Sequence, residues 1–342
     1  MRFIGCKTGL LEQIEMVITK HAQQTGVFCD IFSGTSTVAR HFKSQYSIIS
    51  NDLLYFSYCL QKATIENNSV PKFDLLKPVI GCEPIDYLNN LDSAAMEKLP
   101  QCKRLFQNTY SPFAGRMYFT DENALRIDFS RHAIESWQEA GLISELEYYY
   151  LVACVVEGVP FVSNISGTYG AYNKKWDRRS YKKFELFKLP VVTNSSVNHC
   201  YNEDGVELLK KITGDILYID PPYNERQYLP NYHVLETAAK YDFPEISGVT
   251  GQRKYEGQKS LFCSKAKVLE AFENLIENAS FRHIILSYNT EGLMRLDDIK
   301  RIMQRHCQPN TFEVHAVPYR RFKSRTTAFA ESLKELIIYI RK

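Results

Sequence analysis

Two stretches of alternating apolar runs and helical patterns bracket a long aperiodic middle, and this arrangement limits the fold more than any other feature. Thr25–Ser36, TGVFCDIFSGTS, reads as a buried strand entering a turn of small residues, and TVARHFK after it as a helix. Tyr46–Asp52, YSIISND, is a second strand, followed by the helical LLYFSYCLQKATIENN. Strand, helix, strand, helix is the signature of a parallel sheet. From about Ser69 to Ser144 prolines, asparagines and aromatics alternate without a period, and Ser144–Val159 reads as a buried helix. The alternation resumes at GDILYIDPPY. NYHVLETAAKYD, SKAKVLEAFENLIENA (N-capped by Ser264) and LDDIKRIMQRHC read as helices. HIILSYN is a strand, and FEVHAVPY and ELIIYIRK are two closing antiparallel strands. The expectation is one doubly wound, mostly parallel α/β sheet built by residues 1–68 and 201–342, interrupted by a smaller domain at 69–200.

Composition excludes several classes. The 342 residues, 44% of them hydrophobic, suffice for a substantial core. A net charge of +3 does not by itself indicate nucleic acid, so any basic surface must be local. Nine cysteines without a CxxC pair, Cys6, Cys29 and Cys59 among them, suit reduced core residues of a cytosolic protein better than a disulfide framework or zinc site. The eight histidines show no HExxH spacing, so no metal is expected. The start, MRFIGCKTGLLEQIEMVITK, reads as neither a signal peptide nor a membrane span. No segment reaches the ~18 apolar residues that a spanning helix needs.

DIFSGTS stands where a doubly wound fold binds a cofactor, in the loop after its first strand. Asp52 ends the second strand, 18 residues past Gly34, where an acid commonly takes a ribose hydroxyl pair. The loop lacks GxGxxG, so a single adenosine with a short polar tail suits it better than a dinucleotide. A tight turn packed on its helix is the competing reading.

DPPY follows the apolar ILYI. Pro221 and Pro222 fix their own φ and have no N–H. Asp220 and Pro221, each preceding a proline, are held extended. The Asp220 carboxylate and Pro221 carbonyl become two rigid acceptors, suited to an exocyclic amino group. Tyr223 offers a face for an aromatic ring. An amino group on a nucleobase is a poor nucleophile, and accepting both its hydrogens favours localising its lone pair. Reaching such a cleft requires base flipping. A strand end closed by a Pro-Pro turn is the alternative.

Together these motifs resemble the alpha-group, Dam-type adenine-N6 DNA methyltransferases of restriction–modification systems. RFIGCKTGLLEQI is similar to that family's amino-terminal cofactor motif, DIFSGTS to its glycine loop and DPPYNERQY to its catalytic motif; NYHVLET, HIILSYN and YRRFKSR fall where its later motifs do. The resemblance implies a Rossmann-like, seven-stranded class I methyltransferase fold and S-adenosylmethionine as methyl donor. It implies that Lys7 approaches the donor's methionine carboxylate, with Phe3, Ile4 and Gly5 lining the same pocket. Asp30, Phe32, Ser33 and Gly34 would surround the methionine part and Asp52 the ribose. Asp220 would border both donor and flipped adenine, with Pro221, Pro222 and Tyr223 completing the catalytic motif. The 69–200 insertion would recognise the DNA target. One departure is Ser36, where the family's FxGxG loop has a second glycine; a serine fits if its φ is negative.

Local basic stretches supply the expected contacts to double-stranded DNA. From Thr168 to Lys188 seven Lys and Arg face two acids. Tyr169, Tyr172 and Trp176 would stack on bases while Lys174, Lys175, Arg178 and Arg179 meet phosphate. A solvated basic loop over core aromatics is the alternative. Arg320, Arg321, Lys323 and Arg325 in YRRFKSR form a phosphate-contacting edge or a plain surface loop. Gly251–Ser260 is a candidate loop that orders on DNA. His233 is expected to support the site as a helix residue, and Phe106, Tyr110 and Phe113 to fill the smaller domain's core. Rival activities are cytosine-N4 methylation, whose enzymes favour serine where Asp220 stands, RNA or protein-glutamine methylation, and an inactive DNA-binding module. The expected state is a cytoplasmic monomer paired with a restriction endonuclease on another polypeptide.

Overall fold

The computed structural model describes residues 5, 7–22, 26–318 and 334–342. Its backbone gathers into two compact units. One comprises Gly5–Leu53, Asn194–Gln227 and Gln258–Lys342; the other comprises Leu54–Thr193 and Tyr228–Gly257. The sequence boundaries at 68/69 and 200/201 divide the chain by expected role, whereas the compact units divide it at 53/54 and 193/194 and return 228–257 to the second.

The first unit holds a seven-stranded sheet: β1 (Val27–Asp30), β2 (Ser47–Asn51), β3 (His199–Tyr201), β4 (Thr213–Ile219), β5 (Ser280–Asn289), β6 (Glu313–Pro318) and β7 (Lys334–Arg341). The spatial order is β3-β2-β1-β4-β5-β7-β6. The first five pair in parallel, β7 runs antiparallel to β5 and β6 antiparallel to β7. This is the doubly wound, mostly parallel seven-stranded α/β sheet that the sequence reading expects. The central strands read as unbroken apolar runs because both their faces are covered. Cys29, Leu217, Ile219, Ile284, Leu286 and Ile338 share a core with Phe272 and Leu275 of the Val268–Asn278 helix and Ile299 and Met303 of the Leu296–Arg305 helix. The closing antiparallel pair matches the sequence reading. Ser264 does not act as expected: the N-cap is Lys267, and Ser264 contributes its carbonyl to the amides of Lys267 and Val268, at 3.0 and 2.8 Å.

Strand order reverses between β2 and β4 around β1. Residue 30 pairs in register with Ser50 on one side and Tyr218 on the other. Asp30, Asp52 and Asp220 therefore leave the same carboxyl edge of adjacent strands. The Ile31–Ser36 turn is tied across it, with Ile31 N on Tyr218 O at 3.2 Å and Ser33 N on Asn51 O at 2.9 Å. Gly34 and Ser36 both have positive φ, 51° and 60°. The sequence reading required a negative φ for Ser36, and the backbone corrects it. Ser36 N bonds back to Ser33 O at 2.7 Å, and Ser36 O receives Arg40 N at 2.9 Å, opening the Thr37–Phe42 helix. This closed turn forces the left-handed conformation on a buried serine.

The second unit is mainly helical. The stretch without a sequence period contains the 19-residue Asp121–Glu139 helix, capped by Thr120 on Asn123 N. Its apolar stripe is hidden because Asn123, Asp128, Ser130 and Arg131 are buried alongside the hydrophobes. Asp128 accepts Phe106 N and Gln107 N at 2.7 and 2.9 Å, capping the Leu105–Tyr110 helix. The Glu145–Val162 helix starts at a Ser144–Glu147 capping box. It packs with the Tyr55–Gln61 and Leu229–Lys240 helices. Phe106 and Tyr110 lie in this core as expected, but Phe113 is 66% exposed. No helix of the described residues is long and apolar enough to cross a membrane. Of the eight described cysteines, Cys29, Cys59, Cys154 and Cys263 are buried, while Cys82 and Cys102 are exposed.

Two predictions follow from backbone groups that must be satisfied. Buried Glu236 accepts Tyr55 N and Phe56 N, each at 3.1 Å, and pairs with Lys240. Glu236→Ala removes the carboxylate that accepts from both amides and is expected to lower stability by about 3 kcal/mol in urea unfolding; an unchanged midpoint would remove Glu236 as a cap. Ser36→Gly relieves a left-handed residue and is expected to add roughly 0.5–1 kcal/mol, whereas Ser36→Val should cost about 1–3 kcal/mol. A destabilising glycine would contradict the positive φ.

Candidate active site

Asp220 is the first residue after β4. Its Oδ1 lies 3.1 Å from Lys7 Nζ, with Lys7 4% and Asp220 17% exposed. Lys7 Nζ also lies 3.6 Å from Glu335 Oε2. Burial pushes the Asp220 carboxyl up to about 6, Lys7 pulling it down and Glu335 adding to the rise. Burial opposes the Lys7 ammonium, but Asp220 and Glu335 outweigh that and hold it above the ordinary lysine value. The loop after Asp220 is pinned within the same unit. Leu293 N donates to Tyr223 O at 3.0 Å, and Gln227 exchanges hydrogen bonds with the Ser260 backbone at 2.9 and 3.0 Å. Pro221 is buried, and Pro222 and Tyr223 are half-buried. The Tyr223 ring meets Tyr288 edge-on at 6.4 Å and has Lys7 Nζ 5.7 Å from its centre.

The glycine loop closes the other side of this edge. Asp52 Oδ2 accepts Gly34 N at 2.8 Å, which fixes the carboxylate's orientation. Asp30 is buried at the end of β1; its Oδ2 accepts Ala39 N at 3.2 Å, and its Oδ1 has no hydrogen-bond partner among the described residues. Burial pushes the Asp30 carboxyl up to about 7, with Asp220 and Asp52 adding to the rise and Ser33 and the Ala39 amide opposing it. Ser33 Oγ donates to Asp30 O at 3.2 Å, and half-buried Phe32 sits edge-on to Phe262 at 5.2 Å. Three carboxylates thus converge around a turn whose Gly34 has no Cβ. The set fits a ligand that brings positive charge together with N–H and O–H donors. Gly5 has φ 83°; Phe3 and Ile4 lie outside the described residues.

Two residues that bond or pair at this edge escaped the sequence reading. Asn51 Nδ2 donates to Ile31 O and Glu203 O at 3.1 and 3.0 Å, and its Oδ1 accepts Glu203 N at 3.0 Å, so it ties the glycine loop to the segment after β3. Its signal was present in YSIISND, an amide next to the strand-ending acid. Glu335 stands opposite Asn289 in the β5–β7 pairing. Its signal was an acid opening the apolar ELIIYI.

The basic segment of the helical unit divides in two. Tyr169 is 2% exposed and belongs to the core; its OH meets Ser163 Oγ at 3.0 Å and its carbonyl accepts Tyr118 OH at 2.6 Å. A ring so placed is packing rather than a base platform, which corrects the sequence reading. Tyr172 and Trp176 are half-buried, packing on Tyr118 and Tyr181. Lys174, Lys175 and Arg178 are exposed, whereas Arg179 is half-buried and donates to Ile165 O. Buried His233 meets the Tyr169 carbonyl through Nε2 at 3.0 Å, and burial pushes its pKa down to about 4, so it is a neutral backbone clamp. In the Gly251–Ser260 stretch, Gln252–Arg253 pairs with Ile246–Ser247, and Arg116 holds the intervening turn through Val249 O and Gly248 O. Arg320, Arg321, Lys323 and Arg325 lie outside the described residues.

Comparison with known proteins places the chain in a family. The profile described as D12 class N6 adenine-specific DNA methyltransferase matches residues 3–302. The Type II methyltransferase M.FokI of Planomicrobium okeanokoites is 50% identical over 100% of this chain and 53% of its own length. The Modification methylase StsI of Streptococcus sanguinis is 40% identical over 100% of this chain and 52% of its own length. The chain thus spans about half the length of these two relatives. The Type II methyltransferase M.NlaIII of Neisseria lactamica is 37% identical, with 96% of this chain and 94% of the relative aligned. With most of its length matched by the profile and nearly all of one relative covered, the chain belongs to the D12 class of N6 adenine-specific DNA methyltransferases.

Proposed function

We propose that the protein methylates the exocyclic N6 of adenine in double-stranded DNA with S-adenosylmethionine as donor. The observation that carries this reading is the Asp220 carboxylate of DPPY, held beside Lys7 at the edge it shares with Asp30 and Asp52. When bound, the donor supplies an electrophilic methyl group on a sulfonium. Asp52 would hold its ribose, and Lys7, Asp30, Ser33 and Gly34 its methionine part, where the carboxylates meet positive charge and donors. Gly5 and Phe32 would line the same site.

The chain's own chemistry is electrostatic. Asp220, with the Pro221 carbonyl, accepts the amino hydrogens of an adenine turned out of its stack, and Tyr223 lies against the base. Charge builds on the amino nitrogen as the bond forms, so an ionised Asp220 stabilises the transition state more than the ground state. The proton becomes acidic only after transfer, so Asp220 need not be a strong base beforehand. Residues 69–200 would read the target, with Lys174, Lys175 and Arg178 on phosphate and Tyr172 and Trp176 near bases. Names such as M.FokI and StsI support pairing with a restriction endonuclease.

Two measurements test this. DNA from cells expressing the chain should contain N6-methyladenine at one sequence motif; N4-methylcytosine instead, or no modified base, would overturn the reading. Asp220 must be ionised to act and its pKa is raised to about 6. The methylation kcat/KM should therefore fall as pH drops through about 6, and Asp220→Asn should lower kcat by about 10²–10³-fold across the range. A flat profile down to pH 5 would contradict a required Asp220 carboxylate that titrates near 6.

A further inference from the structure

We propose that Glu335, at the start of β7, is a positioning residue for this reaction: it shares the Lys7 ammonium with Asp220 and so sets how much of that charge the catalytic carboxylate receives. The proposal deepens the reading above, since it rests on Asp220 as the group that meets the target amino nitrogen. Lys7 Nζ stands between two carboxylates, 3.1 Å from Asp220 Oδ1 and 3.6 Å from Glu335 Oε2. Glu335 is 1% exposed. Its Oε1 accepts Asn289 Nδ2 at 3.4 Å, and its Oε2 has no hydrogen bond among the described residues. A buried carboxyl beside an ammonium is coupled to it, and among the described residues Lys7 is the cation that pairs with Glu335. Its place is also fixed by the backbone: Glu335 pairs in register with Asn289, so the amide at the end of β5 holds one oxygen and leaves the other toward Lys7.

Two carboxylates on one ammonium are coupled. Charge that Lys7 spends on Glu335 is withheld from Asp220, and Glu335 also repels Asp220 directly. Among the described residues, the other titratable groups facing the cluster are Asp30 from β1, Asp52 beyond it, and Tyr218 and Tyr223 flanking Asp220. Glu335→Gln leaves all of these in place. It also keeps an oxygen for Asn289 and removes only the competing charge. Lys7 then serves Asp220 alone, and Asp220 ionises more readily.

The test is the titration of Asp220 in wild type, E335Q and E335D. It is followed without cofactor or DNA by carboxyl ¹³C NMR of aspartate-labelled protein, with D220N assigning the signal, and separately as the acid limb of kcat/KM. The expected midpoint of E335Q lies about 0.5–1 pH unit below wild type in both measurements, with E335D between the two. K7M should move the NMR midpoint upward. If E335Q does not fold, E335D decides, because withdrawing the carboxylate by one methylene must still lower the midpoint. A folded E335Q, or E335D in its place, whose midpoint equals or exceeds that of wild type overturns the proposal. Should wild type methylate no adenine, the functional reading fails, while the NMR titration still shows whether Glu335 and Asp220 share Lys7.

Discussion

The carboxyl edge of the parallel sheet gathers Asp30, Asp52 and Asp220 at adjacent strand ends, and a buried Lys7 ammonium holds part of that negative charge in place. Such a concentration of acid in a poorly hydrated site is unstable without compensation. Hydrogen bonds from Gly34 and Ala39 offset some of the cost, and burial raises Asp30 and Asp220 toward neutral pH. What remains is a negatively charged strand edge that would suit a cationic, donor-rich ligand. The same electrostatics that weaken the apo edge would favour a sulfonium and a nitrogen becoming cationic beside it. Binding and catalysis would then draw on one arrangement of charge.

That arrangement depends on topology more than on local sequence. The reversal of strand order around β1 brings residues 30, 52 and 220 together across long stretches of chain. The turn between β1 and its helix is closed by backbone hydrogen bonds tight enough to keep Ser36 left-handed. Glycine would be the easier residue there, so the loop geometry outranks the preference of the side chain.

The sheet was legible because its central strands are covered on both faces, which turns them into continuous apolar runs ended by acids. Asp52 and Asp220 were legible for the same reason, each standing out where such a run stops. The Asp121–Glu139 helix was not, because Asn123, Asp128, Ser130 and Arg131 are buried for hydrogen bonding and interrupt the apolar stripe. Glu335 was also hidden, since the lysine it answers lies at the opposite end of the chain. Interleaved rings and charges in Gly167–Lys188 could not separate a core tyrosine from a surface one; Tyr169 is inside, while Phe113, expected inside, is exposed. Residue type reports the chemistry available at a position, but burial decides which neighbour that chemistry serves.

The most direct measurement is a crystal structure of the protein with sinefungin, which carries an amine in place of the transferable methyl group. The account predicts both ribose hydroxyls on the Asp52 carboxylate, the methionine-like end at Lys7 and Asp30, and the extra amine on the Asp220 side of the edge. Ligand bound away from these strand ends, or an Asp52 facing away from the sugar, would contradict it.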